Sequence, residues 1–146
     1  MKDTIKLRAT NSEDLIVFSA LVQDAVIRVS DISWHANDHR FVIVCNRYRW
    51  EQKKGFWSFR TKRQRVCSVL HFNCILSVKY SGFDIDDSEA FLNLLAIHYE
   101  AAQDNQGHLR LDFSAGATIR LHSECIDGVL SDVTESWAAI SEPQHR

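Results

Sequence analysis

Basic and aromatic side chains are concentrated in residues 47–65, which we name the basic aromatic segment. In these nineteen positions, eight Lys or Arg residues accompany a single acidic residue, Glu51, and five aromatic residues are interleaved with them. Cations bind phosphates and carboxylates, while aromatic rings stack on bases, enter a membrane interface or anchor a protein interface. We therefore predict a binding site in this segment. Its predicted ligand-binding or partner-binding residues are Lys53, Lys54, Trp57, Arg60, Arg63 and Arg65.

The charge distribution along the chain favours a protein partner for this site. Residues 1–79 hold 14 basic and 7 acidic residues, a net charge of +7, whereas residues 80–146 hold 3 basic and 12 acidic residues, a net charge of −9. Opposite charges on two surfaces steer association and give electrostatic complementarity. We therefore favour a non-enzymatic binding or adaptor domain that binds another protein or a second copy of itself.

Two other interpretations of the same segment stay open. Anionic lipid or nucleic acid would also bind clustered cations and aromatic rings, although a pI of about 6.4 is unlike that of a typical nucleic-acid-binding domain. A charged, solvated hairpin loop with no binding role is the other interpretation, because basic residues often flank aggregation-prone strands.

The four cysteines and seven histidines do not fall into a pattern that predicts a metal site, a cofactor or a catalytic residue. Cys67 and His71 are four residues apart, but on a strand this separation corresponds to about 13 Å, too far to share one ion. Catalytic thiols usually lie at a helix N-terminus or in a cationic pocket. Only Cys125, near the start of a predicted helix, fits that description, so a thiol-dependent enzyme is the third functional hypothesis.

Cysteine usage and hydropathy predict a cytoplasmic protein. The sequence contains no Cys-x-x-Cys pair and too few cysteines for a disulfide scaffold, so we expect free thiols. The longest apolar run is five residues, 41–45, whereas a membrane span needs about 20. We expect no membrane span and, from the first residues, no signal peptide.

Local patterns predict the elements that position the basic aromatic segment. N-cap chemistry at residues 11–14 predicts a helix over residues 12–23, after a short strand at residues 5–9. The apolar alternation slips by one residue near Ser30 and Asp31, which predicts a bulge. Residues 40–48 are apolar on both faces and predict a central strand, followed by a long hairpin loop at residues 50–62.

Further strands and one helix are predicted in the second half of the chain. The alternation over residues 66–80 is too long for one strand and predicts a bend at Asn73. Residues 92–100 predict another strand, and residues 108–122 predict an antiparallel hairpin. Helical spacing of Ile126, Val129, Leu130, Val133, Trp137 and Ile140 predicts an amphipathic C-terminal helix.

These elements predict an α+β fold in a single domain, residues 1–146. We expect a mostly antiparallel sheet of about seven strands, arranged as a pleckstrin-homology-like barrel or a sandwich. The C-terminal helix would close the sheet, and a short strand and helix would precede it.

Segments spread over nearly the whole chain carry a resemblance to known sequences. They are residues 12–15, 23–26, 41–51, 70–72, 77–78 and 94–97, and the run 119–137. With these segments the chain resembles a small bacterial family known only as a domain of unknown function. The resemblance implies a cytosolic bacterial protein with no assigned activity, ligand or catalytic residue.

Overall fold

The computed structural model describes residues 4–51 and 64–133, which form one α-helix and ten β-strands. The helix α1 spans Ser12–Leu21 and follows the first strand. The strands are β1 (Lys6–Ala9), β2 (Val26–Arg28), β3 (Ile32–His35), β4 (Arg40–Tyr48), β5 (Arg65–Phe72), β6 (Ile75–Ser81), β7 (Phe91–Ala101), β8 (Gly107–Phe113), β9 (Thr118–Ser123) and β10 (Gly128–Asp132).

All strand pairs are antiparallel, and nine strands follow one another in the order β1-β10-β5-β4-β2-β7-β8-β9-β6. Strand β3 lies off this path and pairs with the first half of β4. Among the described residues β1 and β6 form the two ends of the path, so the sheet does not close on itself. The expectation of a seven-stranded barrel or sandwich closed by a C-terminal helix is therefore wrong.

The prediction of an amphipathic helix that begins near Ile126 is wrong, because residues 128–132 form strand β10. This strand lies between β1 and β5, with Leu130 paired to Leu70 on one side and to Leu7 on the other. Leu130 and Asp132 are buried, which is the alternation of a strand rather than a helical stripe. Trp137 and Ile140, predicted in the same helix, lie outside the described residues.

Helix α1 begins as predicted. The Asn11 side chain accepts a hydrogen bond from the backbone N–H of Asp14 at 2.8 Å, which is the N-cap interaction that the sequence indicates. Leu15 and Phe18 are buried in the core. The helix ends at Leu21, two residues before the predicted end.

The predicted bulge is a larger interruption than a single extra residue. Residues Val29–Asp31 form one 3₁₀ turn between β2 and β3. Val26 pairs with Asn46 of β4, but Ile32 pairs with Ile43, so the turn shifts the register by three residues. The turn leaves β2 between β4 and β7, while β3 continues along β4 alone.

Strand β4 is central, as predicted, and it directs alternate side chains into the core. Phe41, Ile43 and Cys45 are buried, whereas Val42 and Val44 are half-buried, so the second face is covered only in part. The chain bends at residues 73–74, between β5 and β6, as the long alternation predicts. Within residues 4–51 and 64–133, no helix is long and apolar enough to cross a lipid bilayer.

Candidate functional site

The β4–β5 hairpin carries the basic aromatic segment. Its strands pair from Phe41 with Phe72 to Tyr48 with Arg65. One further backbone hydrogen bond, from the N–H of Arg49 to the carbonyl of Gln64 at 2.9 Å, extends the pairing beyond the strands. We name residues 47–51 and 64–65 the hairpin base. It fixes both ends of the chain that connects the two strands.

The buried side chain of Arg47 holds the hairpin base against the sheet. Its guanidinium makes two hydrogen bonds to Asp132, from Nε to Oδ1 at 3.0 Å and from Nη2 to Oδ2 at 2.8 Å. It makes two more to Glu51, at 2.9 Å and 2.8 Å, and one to the carbonyl of Tyr48 at 3.0 Å. Paired donors that meet two carboxylates are the strongest geometry for a guanidinium. This arrangement links the start of the loop, at Glu51, to the last described strand.

The Asp132 carboxylate accepts hydrogen bonds from three different residues. Besides the bonds from Arg47, its Oδ1 accepts from the Ser68 hydroxyl at 2.6 Å and its Oδ2 accepts from the backbone N–H of Ile5 at 3.0 Å. Burial alone would raise the pKa of Asp132, but these hydrogen bonds outweigh it and lower the pKa. The carboxylate is therefore ionised at neutral pH although it is buried.

The charges of Arg47 and Glu51 stabilise each other. Hydrogen bonds from Arg47 lower the pKa of Glu51 below its ordinary value. Burial opposes the charge on Arg47, but its bonds to Glu51 and Asp132 raise its pKa. The ionised cluster of Arg47, Glu51 and Asp132 therefore keeps a net charge of −1. Its role in the geometry is to position neighbouring residues, because its donors are already occupied.

Aromatic and cationic groups line the accessible side of the hairpin base. The Arg65 guanidinium lies 4.7 Å from the centre of the Tyr48 ring and donates a hydrogen bond to the Tyr48 hydroxyl at 2.9 Å. The Tyr48 and Trp50 rings meet edge to face, 5.5 Å apart. The indole N–H of Trp50 donates to the carbonyl of Gln23 after α1. Cation and rings therefore stand in fixed positions where the loop begins and ends.

Of the predicted binding residues, the structure describes Arg65 and places it at the hairpin base. The other five, Lys53, Lys54, Trp57, Arg60 and Arg63, lie outside the described residues.

The cluster of Arg47, Glu51, Ser68 and Asp132 is not among the site residues predicted from the sequence. One signal could have revealed Arg47, because it continues the buried alternation of Phe41, Ile43 and Cys45. A basic residue at the next buried position of a strand requires an acidic partner in the core. The sequence does not indicate which carboxylate provides that partner.

An exposed acidic segment lies at a different part of the sheet. In the connection between β6 and β7, Phe83 and Ile85 pack against the core, and residues 84, 86, 87 and 89 are exposed. Backbone hydrogen bonds from Asp87 to Asp84 and from Ala90 to Asp87 order this connection. We name residues 84–89 the acidic connection. Its four carboxylates are therefore displayed on a fixed turn.

The acidic connection and the hairpin base lie towards opposite ends of β2. The Arg28 end of β2 pairs with Phe91 and faces Glu89 at 3.8 Å, whereas the Val26 end pairs with Asn46, close to the hairpin base. At about 3.3 Å per residue, these contacts place Glu89 well beyond ion-pair distance from Tyr48. Glu89 therefore lies at the opposite end of β2 from the hairpin base of the same chain.

A second polar surface crosses the outer face of β7, β8, β9 and β6. His98, Arg110, Arg120 and Lys79 occupy one cross-strand row. Glu100 pairs with both arginines, and Asp112 pairs with Arg110 at 3.0 Å. Its two arginines already have carboxylate partners, which lowers their capacity to bind a further anion.

The thiols in the strands are not arranged for nucleophilic chemistry. Burial raises the pKa of Cys45 to about 12, and burial also raises the pKa of Cys67. Both are therefore protonated and weakly nucleophilic at neutral pH. Cys125 lies in the connection between β9 and β10, so its expected activation by a helix N-terminus is wrong. In the part of the chain that the structure describes, no three His, Cys, Asp or Glu side chains group into a metal site.

A protein-family model described as a protein of unknown function matches residues 5–145 of this chain. The match covers nearly the full length and confirms the resemblance seen in the sequence to a family of unknown function. No curated protein and no solved structure matches the chain.

Proposed function

The chain belongs to the DUF2948 family of proteins of unknown function, and we propose that it is a non-enzymatic protein-binding domain. In this proposal the basic aromatic segment binds an acidic protein surface, and a second copy of the chain supplies that surface through its acidic connection. A cytoplasmic location is part of the proposal, because all four cysteines are free and thiols stay reduced there.

The observation that carries the proposal is the hairpin base held by Arg47. Binding costs conformational entropy for every group that it immobilises, so a segment that is already anchored at both ends binds with a smaller cost. Arg47 joins Glu51 to Asp132, and Arg65 is fixed on Tyr48. These contacts support a role for the hairpin as a rigid support for the cations and aromatic rings of the segment.

Charge supports the choice of partner. The acidic connection displays four exposed carboxylates, and the contacts of β2 place it away from the hairpin base of its own chain. A second copy could bring its acidic connection to the basic aromatic segment, with aromatic rings such as Trp57 as the desolvated anchors.

The proposal is tested by sedimentation velocity of the full chain at low and high salt. We expect the wild type to self-associate at low salt and to dissociate as salt screens the charges. The loop variant combines Lys53→Ala, Lys54→Ala, Trp57→Ala and Arg60→Ala. The acidic variant combines Asp84→Asn, Asp86→Asn and Asp87→Asn. Each should be monomeric alone, and a mixture of the two should form a heterodimer, because one intact contact then remains.

Matched controls remove exposed charges elsewhere. Lys6→Ala with Lys79→Ala, and Glu13→Gln with Asp104→Asn, should leave association unchanged. A wild type that stays monomeric up to its solubility limit, or a mixture that stays monomeric, would overturn the proposal. That monomer would then be tested for binding to duplex DNA and to phosphatidylserine vesicles. For DNA, log K should fall by about 0.9 per unit of log salt for each phosphate contacted. Binding that depends on the same four loop residues would replace the protein-binding function with an anionic-ligand function.

A further inference from the structure

Two cysteines that are distant in sequence lie side by side where the chain passes from β5 to β6. Cys74 and Cys125 are 51 residues apart. Next to them, Ile75 pairs with Ser123 at the end of the β6–β9 ladder. The N–H of Glu124 donates to the carbonyl of Cys74 at 2.9 Å, and the N–H of Asn73 donates to the carbonyl of Asp127 at 2.8 Å. Backbone hydrogen bonds therefore hold residues 73–75 against residues 123–127.

These backbone bonds bring the side chains of Cys74 and Cys125 into the same connection. The nearby Cys125 thiol, followed by burial, raises the pKa of Cys74 to about 11. Cys74 is half-buried, whereas Cys125 is exposed. Cys125 is thus the thiol that a small oxidant reaches, and Cys74 is the thiol beside it.

We propose that Cys74 and Cys125 form a site of reversible disulfide formation. A disulfide requires Cα atoms about 4.4–6.8 Å apart. Cys74 is hydrogen-bonded to Glu124, the residue before Cys125, and hydrogen-bonded residues on antiparallel segments lie about 5.5 Å apart. The bonds from Asn73 to Asp127 and from Glu124 to Cys74 hold the two connections together on either side of Cys125, so the proposed disulfide forms there without a rearrangement of the sheet. The site is independent of the basic aromatic segment.

The oxidant in this step is a hydroperoxide such as hydrogen peroxide. The Cys125 sulfur attacks one peroxide oxygen, the O–O bond breaks, and the products are a Cys125 sulfenic acid and water. The Cys74 sulfur then attacks the Cys125 sulfur. An S–S bond forms, the S–O bond breaks, and hydroxide leaves as water with the Cys74 proton. The two thiols are oxidised by two electrons, and the peroxide is reduced to two molecules of water.

The other two cysteines provide an internal comparison. Cys45 pairs with Ser68, while Cys67 pairs with Asn46 on the neighbouring positions of β4 and β5. Successive side chains of a strand point to opposite faces, so Cys45 and Cys67 lie on opposite faces of the sheet. That geometry does not bring their sulfurs together, although the residues are neighbours.

The experiment treats the folded full-length protein with hydrogen peroxide, blocks the remaining thiols, and maps the peptides by mass spectrometry without reductant. Trypsin leaves Cys67 and Cys74 in one peptide, residues 66–79, so the mapping uses a Cys67→Ser background. We expect a cross-link between this peptide and residues 121–146, which contain Cys125 alone, with the loss of two hydrogens and reversal by dithiothreitol. The oxidised protein should melt about 5 °C or more above the reduced one, because the bond closes a long loop.

Cys125→Ser and Cys74→Ser should each abolish the cross-link and the rise in Tm. Since Cys125 is exposed, the first variant is expected to fold, and its Tm in the reduced state checks this. Formation of only sulfinic or sulfonic acid at Cys125 would overturn the proposal. So would a cross-link to Cys45, or a disulfide between two chains on a non-reducing gel.

Discussion

The Nη2 atom of Arg47 lies 2.8 Å from Oδ2 of Asp132, although the two residues are 85 positions apart in sequence. Both side chains are completely buried. This pair joins the hairpin that carries the basic aromatic segment to the strand that separates β1 from β5.

Asp132→Asn should be strongly destabilising, because it leaves the buried Arg47 charge with Glu51 as its remaining carboxylate partner. Breaking a buried ion pair costs about 3–5 kcal/mol. Glu51 is part-exposed, so Glu51→Gln should cost about 1 kcal/mol or less. Urea unfolding measures both. Arg47→Met combined with Asp132→Asn should cost less than the sum of the two single changes, and strict additivity would mean that the pair is not coupled.

The free energy of unfolding should fall as the pH drops below the ordinary carboxyl values of 4.5 for Glu and 3.8 for Asp. Folding lowers the pKa of Glu51 and of Asp132, so the unfolded chain takes up protons first and acid favours it. The stability is present above the ordinary values and is lost as the pH falls towards the folded values. Urea midpoints at a series of pH values measure this loss. Glu51→Gln should flatten it, whereas the exposed Asp86→Asn should not.

Burial, followed by the charge of Arg40, lowers the pKa of His71 below 6.5. The free energy of unfolding should therefore also fall as the pH drops below 6.5, before the carboxylates begin to titrate. The unfolded chain protonates His71 near pH 6.5, before the folded chain does. His71→Gln should remove this part of the pH dependence and leave the part below pH 4.5. An unchanged profile between pH 5 and 6.5 would contradict the assignment.

Gly128→Ala should destabilise the sheet by about 1–3 kcal/mol through overpacking. A Cβ at this position would lie 2.7 Å from Cε1 of Phe72, its partner on β5. Phe72→Leu shortens that side chain, so the double variant should be less destabilised than the sum of the single changes. Gly116→Ala is the comparison. A Cβ at Gly116 has no heavy atom within 4 Å, but φ is +80°, a backbone conformation in which alanine is strained. Phe72→Leu should not relieve that strain.

Arg65→Ala separates the stability of the hairpin base from its binding role. The exposed contact between Arg65 and Tyr48 contributes about 1 kcal/mol or less to stability, but in the proposed function the same cation meets the acidic partner. We expect a small change in the urea midpoint and a clear loss of self-association by sedimentation. Arg8→Ala, which removes an exposed arginine of β1 that pairs with Asp127, should leave association unchanged.

The elements that the sequence predicted correctly are those that depend on neighbouring residues. Asn11 caps α1 from three residues away, and the β8–β9 hairpin follows from alternation on both sides of a short turn. Strand β4 was identified from its unbroken apolar run. In each of these elements, the interaction that fixes the structure and the pattern that reveals it lie within the same short segment.

The failures share a different cause, since they depend on contacts between distant residues. Val129, Leu130 and Val133 fit a helical stripe, and nothing local shows that Leu130 lies between Leu7 and Leu70. The same helical spacing places Asp132 on the polar face of the expected helix, and nothing local indicates its partner Arg47, 85 residues away. The local sequence around Asp132 therefore does not distinguish this buried carboxylate from an exposed one.

The position of β10 has a consequence for synthesis of the chain on a ribosome. Strands β1 and β5 have emerged long before residues 128–132, yet each depends on this strand for a neighbour. Until then, the β10 side of β5 is an unpaired strand edge of the kind that promotes aggregation, and Arg47 lacks Asp132. The sheet therefore completes late, through contacts of high sequence separation, which makes folding slow relative to a helical protein of this length.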